Sequence, residues 1–412
     1  MLATQALSRN DIKHPINVSS PAFTANKYAY YAWLREEAPV YKGKMSVISA
    51  YFLSRYEDCA RMLKDPRFVR NRATARGGGG KLPFPAPKSI LLMTQSMILE
   101  DEPNHRRLRN LVHKAFTPRA LDQLGNRIEQ LTHELLDAAE KQGTVDLMQA
   151  YALPIPVTII SEMVGVSDAD MPRFRNGVRV LSEGFSGWSL LRTFFWDLPS
   201  TVKFVRTLIT RKRADPQDDI LTGLIQAEDE GDKLSEDELV SMVFLLIFAG
   251  YETTVHLITN SVVTLLQHPD RLGRLRSNPA MIESAIEEIL RYNGPVQGTK
   301  PSYPTEDVTL HEVTIPKGST VLPLLGAANR DPAVFPNPDV FDISRTPNKH
   351  LGFGQGIHYC LGAPLARLET RIALKNLLDR NPNLWLAVEP EQLQLQNLPL
   401  WNRYARVPVI LG

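Results

Sequence analysis

The sequence predicts a mainly α-helical protein with a minor β component, and three observations carry that prediction. Apolar residues recur at three- and four-residue intervals through 100–118, 121–143, 153–165 and 235–267. The last of these opens on Ser235 with Glu238 three residues later, a reciprocal capping pair, and stops before Pro269. Strand-like runs are short by comparison, around 47–53, 308–313 and 320–324.

At 412 residues the chain exceeds the usual size of a single core, so one large domain and two fused ones are both open. A hydrophobic share of 43% and a charged share of 22% describe an ordinary globular protein. A net charge of +2 argues against a nucleic-acid footprint and against strong attraction to anionic lipid. Cys59 and Cys360 allow one disulfide at most. The first fifteen residues lack an apolar core, so they are not a secretory signal. The run from Leu239 to Gly250 is too short to cross a bilayer and contains Ser241. The expectation is a protein free in solution.

In chain order, Tyr28 to Glu37 and Tyr56 to Lys64 read as short helices flanking a strand at Val47 to Leu53. From Arg70 to Leu92, four consecutive glycines and Pro83, Pro85 and Pro87 predict a loop longer than compact domains keep without a use. It is expected to be a mobile loop over a binding site. Pro103 opens the amphipathic helix over 100–118, where His105 and Arg109 lie four apart and share a face. Arg106, Arg107 and Lys114 of that stretch are expected to offer a docking surface to an acidic partner. Aromatic residues crowd 181–205, with Phe185, Trp188, Phe194, Phe195 and Trp196 close together. Arg211, Lys212 and Arg213 end a helix before Pro216, where cations suit the dipole.

The helix over 235–267 would be about 50 Å long. Near its middle runs Ala249-Gly250-Tyr251-Glu252-Thr253-Thr254, and Gly250 leaves room for a cofactor against the helix. A further helix over 279–293 places Glu288 and Arg291 on one face. Strands at 308–313 and 320–324 follow, with a turn at Pro316-Lys317-Gly318 between them.

The chain is organised around His350 to Glu369. Phe353-Gly354-Gln355-Gly356-Ile357-His358-Tyr359-Cys360 is followed at once by Gly362 and a helical run through Ala366. Glycines let the backbone turn sharply and approach a flat group, and a following helix N-terminus favours a thiolate. A loop presenting one cysteine to haem iron has this form.

That stretch resembles, position for position, the haem-binding signature of the cytochrome P-450 family. The resemblance runs from about residue 25 to the C-terminus and includes Ala249 to Thr254, Glu288-x-x-Arg291 and Ala327 to Pro332. It implies the fold of that family: a single domain over 25–412 after an extension at 1–24, largely helical with a small β-rich subdomain. Haem b would lie between the long helix and the cysteine loop. Cys360 would ligate iron, and His105, Arg109 and His358 would hold the propionates. The family commonly has an arginine where this chain has Ser302, and Lys300 is the nearest substitute. Phe353, Gly354, Gly362, Ala366, Ala249 and Gly250 would lie against the macrocycle. Glu288 and Arg291 would fix the cysteine loop from behind, and Cys59 would be left as a buried, reduced thiol.

The activity so implied is a monooxygenase inserting one atom of dioxygen into a largely apolar organic substrate, with hydroxylation expected before epoxidation or carbon–carbon cleavage. The reaction needs protons, and Glu252 beside Thr253 matches the acid–alcohol pair that delivers them. Members that use peroxide directly usually lack this pair. Ile98, Leu245, Phe248, Ala249, Val296 and Leu400 would form an apolar pocket under a lid made by 181–205. The flavour is that of bacterial macrolide and polyketide hydroxylases or fatty-acyl oxidases. Electrons would come from a ferredoxin or flavodoxin and its reductase, in the cytoplasm. A peroxide-driven peroxygenase would not need the redox partner, and a non-catalytic haem sensor would need Cys360 without Glu252 and Thr253.

Overall fold

The computed structural model describes residues 12–77, 92, 96–113, 118–167, 169–174, 196–217, 219–229 and 234–412. In chain order the N-terminal elements are α1 (Pro21–Ala25), α2 (Lys27–Glu37), β1 (Val40–Met45), β2 (Ile48–Leu53), α3 (Tyr56–Met62), β3 (Phe68–Val69) and α4 (Arg72–Ala75). Then follow α5 (Asn104–His113), α6 (Pro118–Glu140), β4 (Thr144–Asp146), α7 (Pro154–Val164), α8 (Leu198–Ala214), α9 (Ile220–Asp229) and α10 (Glu236–Leu266). The C-terminal third holds α11 (Pro269–Ser277), α12 (Ile282–Asn293), β5 (Tyr303–Pro304), β6 (Val308–Leu310), β7 (Val313–Ile315), β8 (Val321–Pro323) and α13 (Leu325–Ala328). It closes with α14 (Ala363–Arg380), β9 (Trp385–Leu386) and β10 (Pro408–Ile410).

α10 is the axis. The Ser235 hydroxyl accepts from the Glu238 N–H, and the Glu238 side chain accepts from the Ser235 N–H, so the expected capping box forms. Glu236, Asp237 and Glu238 put negative charge on the first turn, where the dipole favours it. α10 packs against α7, α12 and α14, and its Leu239, Val243, Ile258 and Val263 are fully buried in the main core. As a whole it is long and apolar enough to cross a membrane, but 76% of its most apolar stretch is buried inside the protein.

Two smaller apolar clusters lie beneath a three-stranded sheet of order β1-β2-β8. β1 and β2 form an antiparallel hairpin from Val40 opposite Leu53 to Met45 opposite Ile48, while β8 joins β2 in parallel. Ile16, Val18 and Phe23 are buried in this part of the molecule. Cys59 is a buried free thiol that donates to the Leu53 carbonyl at 3.3 Å.

Several boundaries differ from the sequence expectation. Val47 is 92% exposed at the tip of the hairpin, so the strand begins at Ile48. The predicted strand at 308–313 is two strands, β6 and β7, joined by His311 and Glu312 with φ of 46° and 65°. Histidine tolerates such backbone better than most residues, but glutamate does not advertise a left-handed turn. The helix over 279–293 begins at Ile282, after a 3₁₀ turn at Pro279–Met281. The aromatic stretch between 175 and 195, and 78–91 of the glycine- and proline-rich loop, lie outside the described residues.

Behind the site the fold closes on one carboxylate. Glu288 and Arg291 on α12 are fully buried, with two nitrogen–oxygen contacts of 2.8 Å. The pair is therefore no surface ion pair. Arg345 adds a second guanidinium at 3.0 Å, and the Asp342 N–H and Asn348 side chain also donate to Glu288. Glu288→Ala strands two buried cations and is expected to cost about 3–5 kcal/mol of stability, read as a lower denaturant midpoint. A loss under about 1 kcal/mol, the range of an exposed pair, would contradict this account.

Candidate active site

The cysteine loop is shaped by two left-handed glycines. Gly354 has φ 69° and Gly356 has φ 74°, and a Cβ on Gly356 would stand 2.1 Å from the Leu63 carbonyl oxygen. The Cys360 N–H donates to the Phe353 carbonyl at 3.0 Å, and the chain enters α14 through Gly362 as its N-cap. Burial pushes the Cys360 thiol up. N–H donors from Gly362 and Ala363 and the charges of Arg109 and Arg367 oppose it. The sulfur thus meets donors and positive charge on the protein side. Arg367 lies over the Phe353 ring at 4.4 Å and holds Glu287 at 2.6 and 2.8 Å, which bolts the loop to α12.

On α5, His105 and Arg109 share a face as the spacing predicted. The His105 ring meets the His358 ring edge-on, with centroids 4.4 Å apart. His105 Nδ1 and His358 Nε2 are both buried without a hydrogen-bond partner among the described residues. Burial, then Arg70, His105 and Arg109, drives the His358 imidazole down to about 3. Unpaired ring nitrogens and crowded cations are a site for carboxylates. The propionates of a haem fit it, and the donor-facing thiol of Cys360 fits the iron.

Arg107 is not free for a partner: it donates to Asn104 at 2.7 Å and pairs with Glu238. Arg106 is exposed and pairs with Glu102 at 3.2 Å. Lys114 lies outside the described residues.

On α10, Thr253 donates to the Ala249 carbonyl at 2.9 Å with its hydroxyl open to solvent, and Thr254 donates to Gly250 at 3.3 Å. Glu252 is 4% exposed and pairs with Arg403 near the C-terminus, a partner that no local sequence pattern signals. Burial raises the Glu252 pKa, while Arg403 and then Lys300 lower it. Burial and the neighbouring cations thus act in opposite directions on this carboxyl. Gly250 also lies where α10 meets α7. A Cβ there would meet Ile160 of α7 at 3.3 Å, so the missing side chain first permits helix packing.

Ala249 is exposed in the middle of an otherwise buried helix, Leu245 and Val296 are half-buried, and Ile98 lies on the 3₁₀ turn Met97–Leu99. The Phe248 side chain is outside the described part. Leu400 is 6% exposed, joins the small core under the sheet with φ 60°, and lies against Gly298. Ala366 is half-buried on the first turn of α14, where its carbonyl accepts from Thr370 at 2.7 Å.

A family model described as Cytochrome P450 matches residues 200–381. The chain is 40% identical to cytochrome P450 107B1 of Saccharopolyspora erythraea, over 95% of this chain and 96% of that one. The chain belongs to the cytochrome P450 family. Like other P450s it is a haem-thiolate monooxygenase. This P450 is also 38% identical to the polyketide biosynthesis cytochrome P450 PksS of Bacillus subtilis, covering 95% and 97% of the two chains. Its fold superposes on P450BioI, solved in complex with hexadec-9Z-enoic acid ligated acyl carrier protein. The TM-score is 0.87 at 37% identity, over 95% of this chain and all of that one.

Beside Arg403 the P450 buries a second titratable group, His256, one turn after Glu252. It is 2% exposed and its Nδ1 is unpartnered. Burial first, then Arg403, holds its imidazole down to about 3. The neutral ring is the folded form, so its stabilisation is complete above the ordinary histidine pKa of about 6.5 and is lost as pH falls toward 3. Comparing denaturant midpoints at pH 7 and pH 5, His256→Asn should lose less stability on acidification than the parent, by up to about 1.4 kcal/mol per pH unit. Equal losses in both proteins would contradict a neutral buried imidazole.

Proposed function

We propose that this P450 hydroxylates a large, apolar acyl or polyketide substrate, holding haem b through Cys360, His105, Arg109 and His358. Electrons come from a ferredoxin or flavodoxin with its reductase, in the cytoplasm. The observation that carries the reading is the cysteine loop: the half-buried Cys360 facing the Gly362 and Ala363 N–H groups, with ring nitrogens left without partners on His358 and His105.

Bound haem supplies the activation of dioxygen; one oxygen atom enters a C–H bond and the other leaves as water, consuming two electrons and two protons. The residues of this chain manage the protons and the substrate. Thr253, with its hydroxyl on the open side of α10, holds a proton at Oγ1. Glu252, whose proton affinity burial raises and Arg403 lowers, resupplies it at the carboxylate. Half-buried Leu245 and Val296 and exposed Ala249 give an apolar wall. The relative named for polyketide biosynthesis and the one solved with a fatty-acylated carrier support the substrate class.

Reduced protein under carbon monoxide should give the red-shifted Soret band from which the family takes its name, and Cys360→Ala should abolish it. A well-folded protein that binds no haem would overturn the reading. Turnover driven by peroxide as fast as by ferredoxin and reductase would favour the peroxygenase alternative.

Glu252→Gln keeps the hydrogen-bonding shape but carries no titrating proton, and should lower kcat by about a hundredfold or more. The CO band and substrate-induced spin shift should be unchanged. An unaltered kcat would remove Glu252 from proton delivery.

A further inference from the structure

Arg70 is a charged side chain that the account above leaves without a task. It follows β3, is 8% exposed, and its backbone is pinned by Asp101, whose oxygens accept from the Arg70 N–H at 2.7 Å and the Asn71 N–H at 2.9 Å. Its guanidinium reaches the segment before β5. Nη1 donates to Thr299 Oγ1 at 3.3 Å, to the Pro301 carbonyl at 3.2 Å and to the Lys300 carbonyl. All three acceptors are neutral. Nε and Nη2 make no hydrogen bond to the described residues.

Burial lowers this guanidinium to about 10, and Asp101, already engaged by backbone donors, restores only part of it. A buried cation with two unused donors is costly unless an anion meets it. Its surroundings say where that anion lies. The Asp101 that pins Arg70 also ties it to α5: its carbonyl accepts from the His105 N–H at 2.8 Å, and the His105 ring meets the His358 ring with centroids 4.4 Å apart. Arg70 is thus anchored beside the turn that carries His105, whose Nδ1, like His358 Nε2, is buried without a partner among the described residues. Lys300 adds charge on the same segment; burial lowers its ammonium, Glu252 partly restores it, and Arg70 lowers it further.

Ser302, where an arginine is common in the family, cannot fill this role. It is 3% exposed, its hydroxyl is short, and its backbone is paired with Val321 in both directions. We propose that Arg70 supplies the guanidinium for a haem propionate in place of the arginine absent at position 302. A planar fork held along one edge by 299–301 presents its other edge for a carboxylate, which a lysine cannot reproduce. The inference rests on haem being held beside Cys360, as proposed above.

The test uses full-length holoprotein, with the CO difference spectrum recorded first. Absence of the thiolate band in the parent protein would defeat the haem reading itself, separately from the role of Arg70. With the band present, two quantities are measured: the rate of haem transfer to excess apomyoglobin, and the propionate-bending band in the resonance Raman spectrum. Arg70→Met should speed haem loss roughly ten- to a hundredfold, the worth of one hydrogen bond to a charged group, and should shift the propionate band. The double variant Arg70→Met/Ser302→Arg should recover both. Arg70→Gln keeps a donor for the 299–301 carbonyls without the charge, so it stands in should the methionine variant fail to fold. It should behave likewise and be rescued likewise. Parent-like haem loss and an unmoved propionate band in either folded variant would overturn the proposal. A change that Ser302→Arg leaves uncorrected would mark Arg70 as a structural tie to the loop, and would overturn it too.

Discussion

The structure depends on a carboxylate with no solvent exposure. Glu288 accepts from Arg291 on its own helix and from Arg345, Asn348 and the Asp342 N–H, all on the extended segment that leads into the cysteine loop. Arg291 spends its remaining donors on the carbonyls of Asn329, Pro338 and Val340. Asn329 then accepts from the Leu351 N–H at 2.7 Å, two residues before Phe353. One ion therefore sets the path of about sixty residues between α12 and the sulfur. Burying it costs desolvation that Coulomb attraction alone does not offset. Hydrogen bonds to both Glu288 oxygens and from every Arg291 nitrogen make the arrangement tolerable, and a single geometry for the loop is the return.

A second tie works from the other side. Glu287, adjacent in sequence but on another face of α12, binds Arg367 of α14 and His350 at 2.9 Å. The cysteine loop is thus gripped at its entry by Asn329 and His350 and at its exit by Arg367. Between these grips the two left-handed glycines take up the turn. The thiol is left with nothing to do but face its donors, which is the preorganisation a ligand to a redox-active metal requires.

Much of this was legible in the sequence, because the features that define it are local. The Ser235–Glu238 capping box, the helical spacing of His105 and Arg109, and the glycine pattern before Cys360 each lie within a few residues. What escaped reading was non-local or ran against residue preference. Arg345 lies fifty-seven positions from Glu288, and Arg403 lies 151 from Glu252. No periodicity connects such pairs. β1 was missed because Lys42, Gly43 and Lys44 dilute its alternation, and it is held by pairing with β2 rather than by propensity. The β6–β7 turn was missed because it contains neither glycine nor asparagine, and Glu312 takes a left-handed backbone that its residue type does not favour. The left-handed backbone of Leu400, with φ of 60° and the side chain against Gly298, was likewise not signalled by its residue type.

α10 shows how one helix can be both core and chemistry. The hydroxyls of its C-terminal half are absorbed by the helix: Ser261 donates to Leu257 at 2.6 Å and Thr264 to Asn260 at 2.6 Å. Such bonds satisfy a buried polar group without a partner from outside. The groups that cannot be satisfied this way lie four apart along one face, Glu252, His256 and Asn260. Two of them turn to the C-terminal segment. Arg403 meets Glu252, and Asn260 donates to the Asn402 carbonyl at 3.1 Å and the Asn293 carbonyl at 2.9 Å. His256, between them, feels Arg403 as a repelling charge and remains neutral. The charge on Arg403 therefore acts on both neighbours at once, drawing Glu252 toward its anionic form and holding His256 in its uncharged one. A carboxyl whose proton affinity burial raises and Arg403 lowers, beside a base held neutral, is the local setting on which the proposed proton delivery to Thr253 rests.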